Sequence, residues 1–266
     1  MQRLSQEEIH SYLLDILSAV DSFCKKNGIR YSLAYGTLLG SVRHKGFIPW
    51  DDDIDLLMPR PDFDRFVSSF GKEDNARYRV LYNTNGHKER FVNFFAKVHD
   101  TATVSIEKHA RRNRFGLTLD IFPVDGKAED KAVRYRRERK MAHYVHRMNI
   151  CATPFNPFNF HQPLFSQIDA HLYGPHYWFD KCNGMMRQIP YGSTPLAGSL
   201  SVTWIGLRQV FPLEMFERYT VLPFEGREFM ALEGWDEFLS QIFGDYMTPP
   251  PENKRETHSL TVYRLD

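Results

Sequence analysis

Cysteine is scarce in this 266-residue chain: Cys24, Cys151 and Cys182 are odd in number and far apart. They supply neither a disulfide framework nor a CxxC metal knuckle, so a reducing compartment is the simpler reading. Long apolar runs are missing as well. No stretch reaches the ~18 apolar residues that mark a membrane-spanning helix, and the opening MQRLSQEEIHSYLLDIL carries charges throughout, unlike a secretory leader. Nor is there an excess of charge of one sign. A net charge of +1 gives no broad basic surface, which excludes a dedicated nucleic-acid binder. Internal repeats and low-complexity tracts are absent too. The expectation is a soluble cytoplasmic protein with no transmembrane segment, in which peripheral contact at the inner face of the membrane stays open.

What is present is an ordinary globular composition, 42% hydrophobic and 25% charged, with an unusual wealth of rings: 21 Phe and 13 Tyr. That suits one sizeable domain, or a catalytic core with a smaller appended part, and leaves rings to spare for a ligand pocket. Ser5 and Glu8 have capping-box spacing. Ile9, Leu13, Ile16, Leu17, Val20, Phe23 and Cys24 follow at helical period until Gly28 stops them. An extended run over 30–35, a brief helix over 37–43 and a loop over 44–49 come next. A strand is expected over 53–58, then a helix carrying Phe63, Phe66, Val67 and Phe70, then strands over 78–82, 92–98 and 117–122. This order predicts an α/β or α+β core. Beyond it, 127–148 reads as a basic helix with seven Lys or Arg against three acids between 127 and 140. It is either a solvated face or a site for an acidic partner. Residues 149–165 read as an excursion or a lid, 166–188 as a helix broken at Gly174-Pro175, and 235–243 as a last helix. The expected division is a catalytic core over 1–126 and a helical and loop region over 127–266, or one integrated domain.

The chemistry concentrates in Asp51, Asp52, Asp53 and Asp55. Like charges this close raise one another's pKa unless a cation neutralises them. On a strand, Asp53 and Asp55 share a face about 6.6 Å apart and converge on a metal. Oxygen-only ligands select Mg²⁺ or Mn²⁺. A calcium loop is excluded, because Leu56 stands where its glycine belongs and Asp62 where its glutamate belongs. Upstream, Gly36-Thr37 sits where a strand meets a helix, where a phosphate can approach backbone amides. Glycine with a small hydroxyl residue, then two carboxylates on the next strand, is the nucleotidyltransferase pattern. Such sites take a third carboxylate from a later strand. Asp120, a lone charge in an apolar strand, is the candidate, with Asp125 as competitor. Arg43 and Lys97 are each either a phosphate partner or a salt bridge to the aspartates. Trp50, Tyr35 and Trp204 are candidates for a cage around a quaternary ammonium, or core rings. Residues 192–204 are an acceptor-side loop or a plain connection, and Lys254, Arg255 and His258 are placed to fold back on a donor.

The run from Tyr35 to Asp55, YGTLLGSVRHKGFIPWDDDID, resembles the signature of the LicD phosphotransferase family, as do Lys97-Val-His-Asp100, Leu119-Asp-Ile-Phe-Pro-Val-Asp125, Phe211-Pro-Leu and Phe243-Gly-Asp-Tyr-Met-Thr-Pro-Pro250. The resemblance implies an α+β, nucleotidyltransferase-like mixed sheet flanked by helices, with a helical insertion and a helical C-terminal part. It implies metal-dependent transfer of a phospho-alcohol, phosphocholine first, from a CDP-alcohol donor to a glycan or lipid-linked oligosaccharide hydroxyl, with release of CMP. The acceptor is then a cell-surface glycan such as lipopolysaccharide or a teichoic-acid precursor. Asp53 and Asp55 match the metal pair, Asp51 a further ligand and Asp120 the third carboxylate. Gly36, Thr37, Arg43, Lys97, Trp50 and His258 fall to the donor. His99 departs from the family's usual Arg, and three scattered cysteines cannot build the zinc subdomain of the fukutin-related branch, which favours the bacterial one. The alternatives are a nucleotidyltransferase that makes an activated sugar or alcohol, and a non-catalytic glycan-binding module.

Overall fold

After a two-residue strand, β1 (Gln2–Arg3), Ser5 starts the first long helix, α1 (Gln6–Asn27). Its hydroxyl accepts the Glu8 amide at 3.2 Å while the Glu8 carboxylate accepts the Ser5 amide at 2.8 Å, so two otherwise orphaned donors are satisfied reciprocally. Gly28 closes the helix at φ +58°, a conformation glycine adopts without strain. Leu13, Ile16, Leu17, Val20 and Cys24 are fully buried, each apolar side chain stabilising the fold by about 1.5–3 kcal/mol. The computed structural model describes all residues except 73–75, 83–92, 107–114, 152, 159–161, 204, 252–254, 256–260 and 266.

The chain continues through β2 (Ser32–Leu33), α2 (Tyr35–His44), β3 (Asp55–Pro59), α3 (Arg60–Ser69), β4 (Tyr78–Leu81), β5 (Ala96–Asp100), β6 (Thr103–Ile106) and β7 (Thr118–Gly126). Helices α4 (Lys131–Cys151) and α5 (Leu164–Met186) pack together as a hairpin. Then come β8 (Leu196–Gly198), β9 (Phe211–Pro212), β10 (Tyr219–Phe224), β11 (Arg227–Leu232), α6 (Trp235–Phe243) and β12 (Thr261–Arg264). The main sheet runs β2-β3-β7-β5-β4, with β8 joined to β7 and β9 to β8. Among the described residues only the central β3–β7 pair of this sheet is parallel, so the sheet is mixed and the architecture α+β. A second small sheet, β1-β12-β6, ties both ends of the chain together. Among the described residues no helix is long and apolar enough to cross a membrane.

Two expectations need correction. The strand of the aspartate cluster begins at Asp55, not Asp53, because its pairing with β7 starts there; Asp53 lies in the irregular segment before it. The strand expected over 92–98 is β5 at Ala96–Asp100, set by its register with β7 and β4. The helical insertion is the α4–α5 hairpin and the C-terminal part carries α6, while β8 and β9 extend the main sheet and β10–β11 form a hairpin. The break at Gly174 is present, at φ +77° and ψ 170° ahead of Pro175.

Candidate functional site

The site is assembled on the middle of the main sheet. In the parallel β3–β7 pair Asp55 stands directly opposite Asp120, and in the antiparallel β7–β5 pair Asp120 stands opposite Lys97. Residues in register on adjacent strands project to the same face, about 4.8 Å apart. Asp55, Asp120 and Lys97 therefore form one row across three strands. The Lys97 ammonium donates to both Asp120 oxygens, at 2.6 and 2.8 Å, and lies 5.3 Å from the Phe95 ring centroid. Asp125, the rival third carboxylate, is buried in a two-bond pair with Arg60, at 2.7 and 2.6 Å.

Asp55 is fixed by its backbone. Its amide donates to the Thr37 hydroxyl at 2.9 Å and its carbonyl accepts from the Ala34 amide at 2.9 Å. On the other side the Asp120 amide donates to the Ile54 carbonyl at 2.8 Å. Thr37 thus holds the start of β3 in place. Burial pushes the Asp55 carboxyl well above the usual range, the charges of Asp53, Asp120 and Asp51 push it further, and Lys97 opposes them.

The loop from α2 to β3 brings Asp51 to the same place. Its amide donates to Ile48 at 2.9 Å, and its carbonyl oxygen lies 2.8 Å from His10 Nε2 on α1. The Asp51 carboxylate comes so near Gly36 that a β-carbon there would stand 2.6 Å from its Oδ2. The absent side chain at 36 is thus occupied, in effect, by a carboxylate. Burial raises the Asp51 pKa and Asp52 adds to it, while hydrogen bonds with Asp53 and the Asp52 backbone oppose the rise.

Tyr35 opens α2 at φ +42°, a left-handed conformation that costs a bulky residue of order 1–3 kcal/mol. The strained turn sends its ring inward, where its hydroxyl accepts from Gln209 Nε2 at 2.6 Å. Burial and the Asp55 charge keep that phenol protonated. Tyr35 is therefore a core ring beside the carboxylates, edge-on to Phe122 at 5.5 Å. Gln209 and His10 carry no sequence signal; they reach the site from 174 and 41 residues away.

The remaining described candidates have partners of their own. Arg43 donates to the Tyr246 carbonyl at 2.8 Å and to His44 Nε2 at 2.9 Å, joining α2 to the segment after α6. Trp50 is half-buried, with the Arg255 guanidinium 4.4 Å over its ring. Trp204, Lys254 and His258 lie outside the described residues. Among the described residues no three carboxylate or histidine side chains form a ready-made metal cage, and Asp120 is held by Lys97. The donor set is nevertheless all oxygen, and the raised Asp55 marks negative charge that one lysine does not offset. That is the chemistry of a hard divalent cation site.

Residues 28–163 match the family model described as LicD/FKTN/FKRP, nucleotidyltransferase domain. The chain is 28% identical over 268 aligned positions to the lipopolysaccharide cholinephosphotransferase LicD of Haemophilus influenzae, covering 98% of each. It is 35% identical over 81 residues to an uncharacterized protein of Rickettsia typhi, covering 30% of this chain and 26% of that one. Against mannosyltransferase regulator 4 of Saccharomyces cerevisiae it is 27% identical over 116 residues, 44% of this chain and 9% of that one.

Proposed function

The chain belongs to the LicD/FKTN/FKRP nucleotidyltransferase-domain family, and from that premise we propose that it transfers a phospho-alcohol, phosphocholine first, from a CDP-alcohol to a hydroxyl of a cell-surface glycan, releasing CMP. The observation that carries this reading is the row Asp55–Asp120–Lys97, crowded by Asp51 and Asp53. The likeness along 98% of the Haemophilus lipopolysaccharide cholinephosphotransferase supports the choice of phosphocholine and of a lipid-bearing glycan acceptor.

In the proposed reaction the acceptor oxygen forms a bond to the phosphorus that carries the alcohol. The bond from that phosphorus to the CMP oxygen breaks, and the electron pair leaves with CMP. A donor phosphate competes with Asp120 for the Lys97 ammonium, and Asp120, relieved of it, takes the acceptor proton. Lys97 and Arg43 hold donor phosphate charge, so positioning and charge stabilisation carry most of the rate. Asp53, Asp55 and Asp120, with Asp51, would hold Mg²⁺ or Mn²⁺, which lowers the pKa of the acceptor hydroxyl and offsets charge on the leaving group.

The test is incubation with a panel of CDP-alcohols, Mg²⁺ and acceptor glycans, scoring CMP with and without EDTA. CMP from CDP-choline, abolished by EDTA and by Asp55→Asn, is the expected result. Pyrophosphate from CTP, or no CMP from any CDP-alcohol, overturns the proposal.

A further inference from the structure

The exposed side of the α4–α5 hairpin takes no part in the site described above. On α5, Leu164, Phe165, Ile168 and Leu172 stand in the open, Phe165 at 85% and Leu172 at 75% exposure. At 100° per residue these four fall within an arc of about 100°. Phe155 and Phe158, also exposed, extend the apolar surface from the segment before α5. That segment is tied down. The buried Gln167 side chain accepts the Asn156 amide at 2.9 Å, and the His171 ring nitrogens lie 2.8 Å from the Gln167 carbonyl and 2.9 Å from that of Thr153. Phe155 meets the His171 ring edge-on at 5.7 Å. The fold thus holds a band of large apolar side chains toward water, where a protein ordinarily leaves them only for a partner.

What surrounds the band identifies the partner. Lys131, Arg136, Arg139 and Lys140 are exposed on α4. The only carboxylate of that helix, Glu138, is turned inward to Lys127 at 2.9 Å. Asp169, beside the apolar stripe, is taken by Arg147 at 2.7 Å. The two helices also carry rings in contact, backed by the buried Trp178. Tyr173 stacks on Tyr177 at 4.5 Å, Tyr144 sits 5.9 Å from Trp178, and Lys140 and Lys181 lie over Tyr144 and Tyr177 at 5.8 and 5.0 Å. Apolar side chains, tyrosines, and lysines and arginines on the same hairpin are the groups that match acyl chains, headgroup level and anionic lipid.

We propose that the α4–α5 hairpin docks this protein on an anionic lipid bilayer, with Phe165, Leu172 and Phe158 entering the interface and the basic face of α4 against the headgroups. A second copy of the chain brings the same basic face to this surface, whereas anionic lipid brings the opposite charge. The proposal stands apart from the transfer reaction and does not depend on which group is transferred.

The test is flotation of the whole protein with vesicles of phosphatidylcholine alone or mixed with phosphatidylglycerol. Binding to the anionic vesicles, weakened at high salt and at least several-fold weaker on the neutral ones, is expected. Phe165→Ser with Leu172→Ser should weaken partition about tenfold or more. The charge reversal Arg136→Glu, Arg139→Glu, Lys140→Glu should abolish the preference for the anionic lipid. These side chains are exposed, so circular dichroism, melting temperature and CMP release with a soluble acceptor should stay as in the parent. No flotation with anionic vesicles overturns the proposal. So does a dimer by light scattering that Phe165→Ser with Leu172→Ser dissolves.

Discussion

The Asp51 carboxylate fills the space that a side chain on residue 36 would need: its Oδ2 lies 2.6 Å from where a β-carbon on Gly36 would stand. Gly36→Ala must displace that carboxylate, the far end of a side chain rather than backbone. The fold should therefore lose only about 1 kcal/mol, while transfer falls at least tenfold because Asp51 is moved off Asp53 and Asp55. Melting curves and CMP release measured together check this. Full activity in Gly36→Ala removes Asp51 from the site.

Asp55 predicts a conflict between function and stability. Its folded-state pKa stands above the unfolded value, chiefly through burial and then through Asp53 and Asp120. Such a carboxyl destabilises the fold above its folded-state pKa, and the destabilisation is relieved as pH falls through that value. Asp55→Asn should thus raise the melting temperature at neutral pH by about 2–4 °C per kcal/mol relieved, with the gain shrinking on acidification, and abolish transfer. Added Mg²⁺ should raise the melting temperature of the parent and not of Asp55→Asn. A variant that melts lower at neutral pH shows that the charge is already neutralised within the fold.

The sequence made the local features legible because local rules decide them. The capping box of α1, its Gly28 stop, α6 and the break at Gly174 all follow from residues within one or two turns. Asp55 stands out as part of the aspartate cluster and Asp120 as a lone charge in an apolar strand. Their direct opposition, and Lys97 beside them, depends on strand register, which alternation alone does not specify. Alternation places Asp53 on the strand because it has no marker for where pairing begins. The β10–β11 hairpin did carry a signal: Glu225-Gly226, at φ +51° and +70°, makes the mirror-image turn that favours hairpins. Glutamate is an unusual first residue there, and its carboxylate serves instead to accept the Phe47 amide at 2.9 Å, bracing the aspartate loop. The Tyr35–Gln209 bond spans 174 residues and has no local trace.

His99, where the related signature has arginine, predicts acid sensitivity. Burial lowers its pKa from 6.5 to about 4, with Asp100 opposing and Arg79 assisting, and its buried Nδ1 has no hydrogen-bond partner among the described residues. The unfolded chain therefore binds a proton between those values that the folded chain refuses, so stability falls as pH drops from 6.5 towards 4. His99→Gln, which cannot take the proton, should flatten that part of a urea-midpoint profile while leaving neutral-pH transfer within about twofold. An unchanged slope assigns the acid sensitivity to other groups.

Arg60 and Asp125 separate structural from catalytic carboxylates on the same strand. Asp125 lies five residues beyond Asp120 on β7, buried and bonded twice by Arg60 at the start of α3. Removing one member of a buried ion pair leaves the other without compensation, at a cost of about 3–5 kcal/mol. Asp125→Asn should therefore lower the urea midpoint with little change in slope, yet keep CMP release per folded molecule within a few-fold at low temperature. Asp120→Asn should do the reverse. It keeps most of the stability, since loss of the part-buried Lys97 pair is offset by removal of a charge that repels Asp55, and loses transfer by about two orders of magnitude or more. If Asp125→Asn instead abolishes CMP release with an unmoved midpoint, the third carboxylate of the site is Asp125, and the row across β3, β7 and β5 is a structural ion pair.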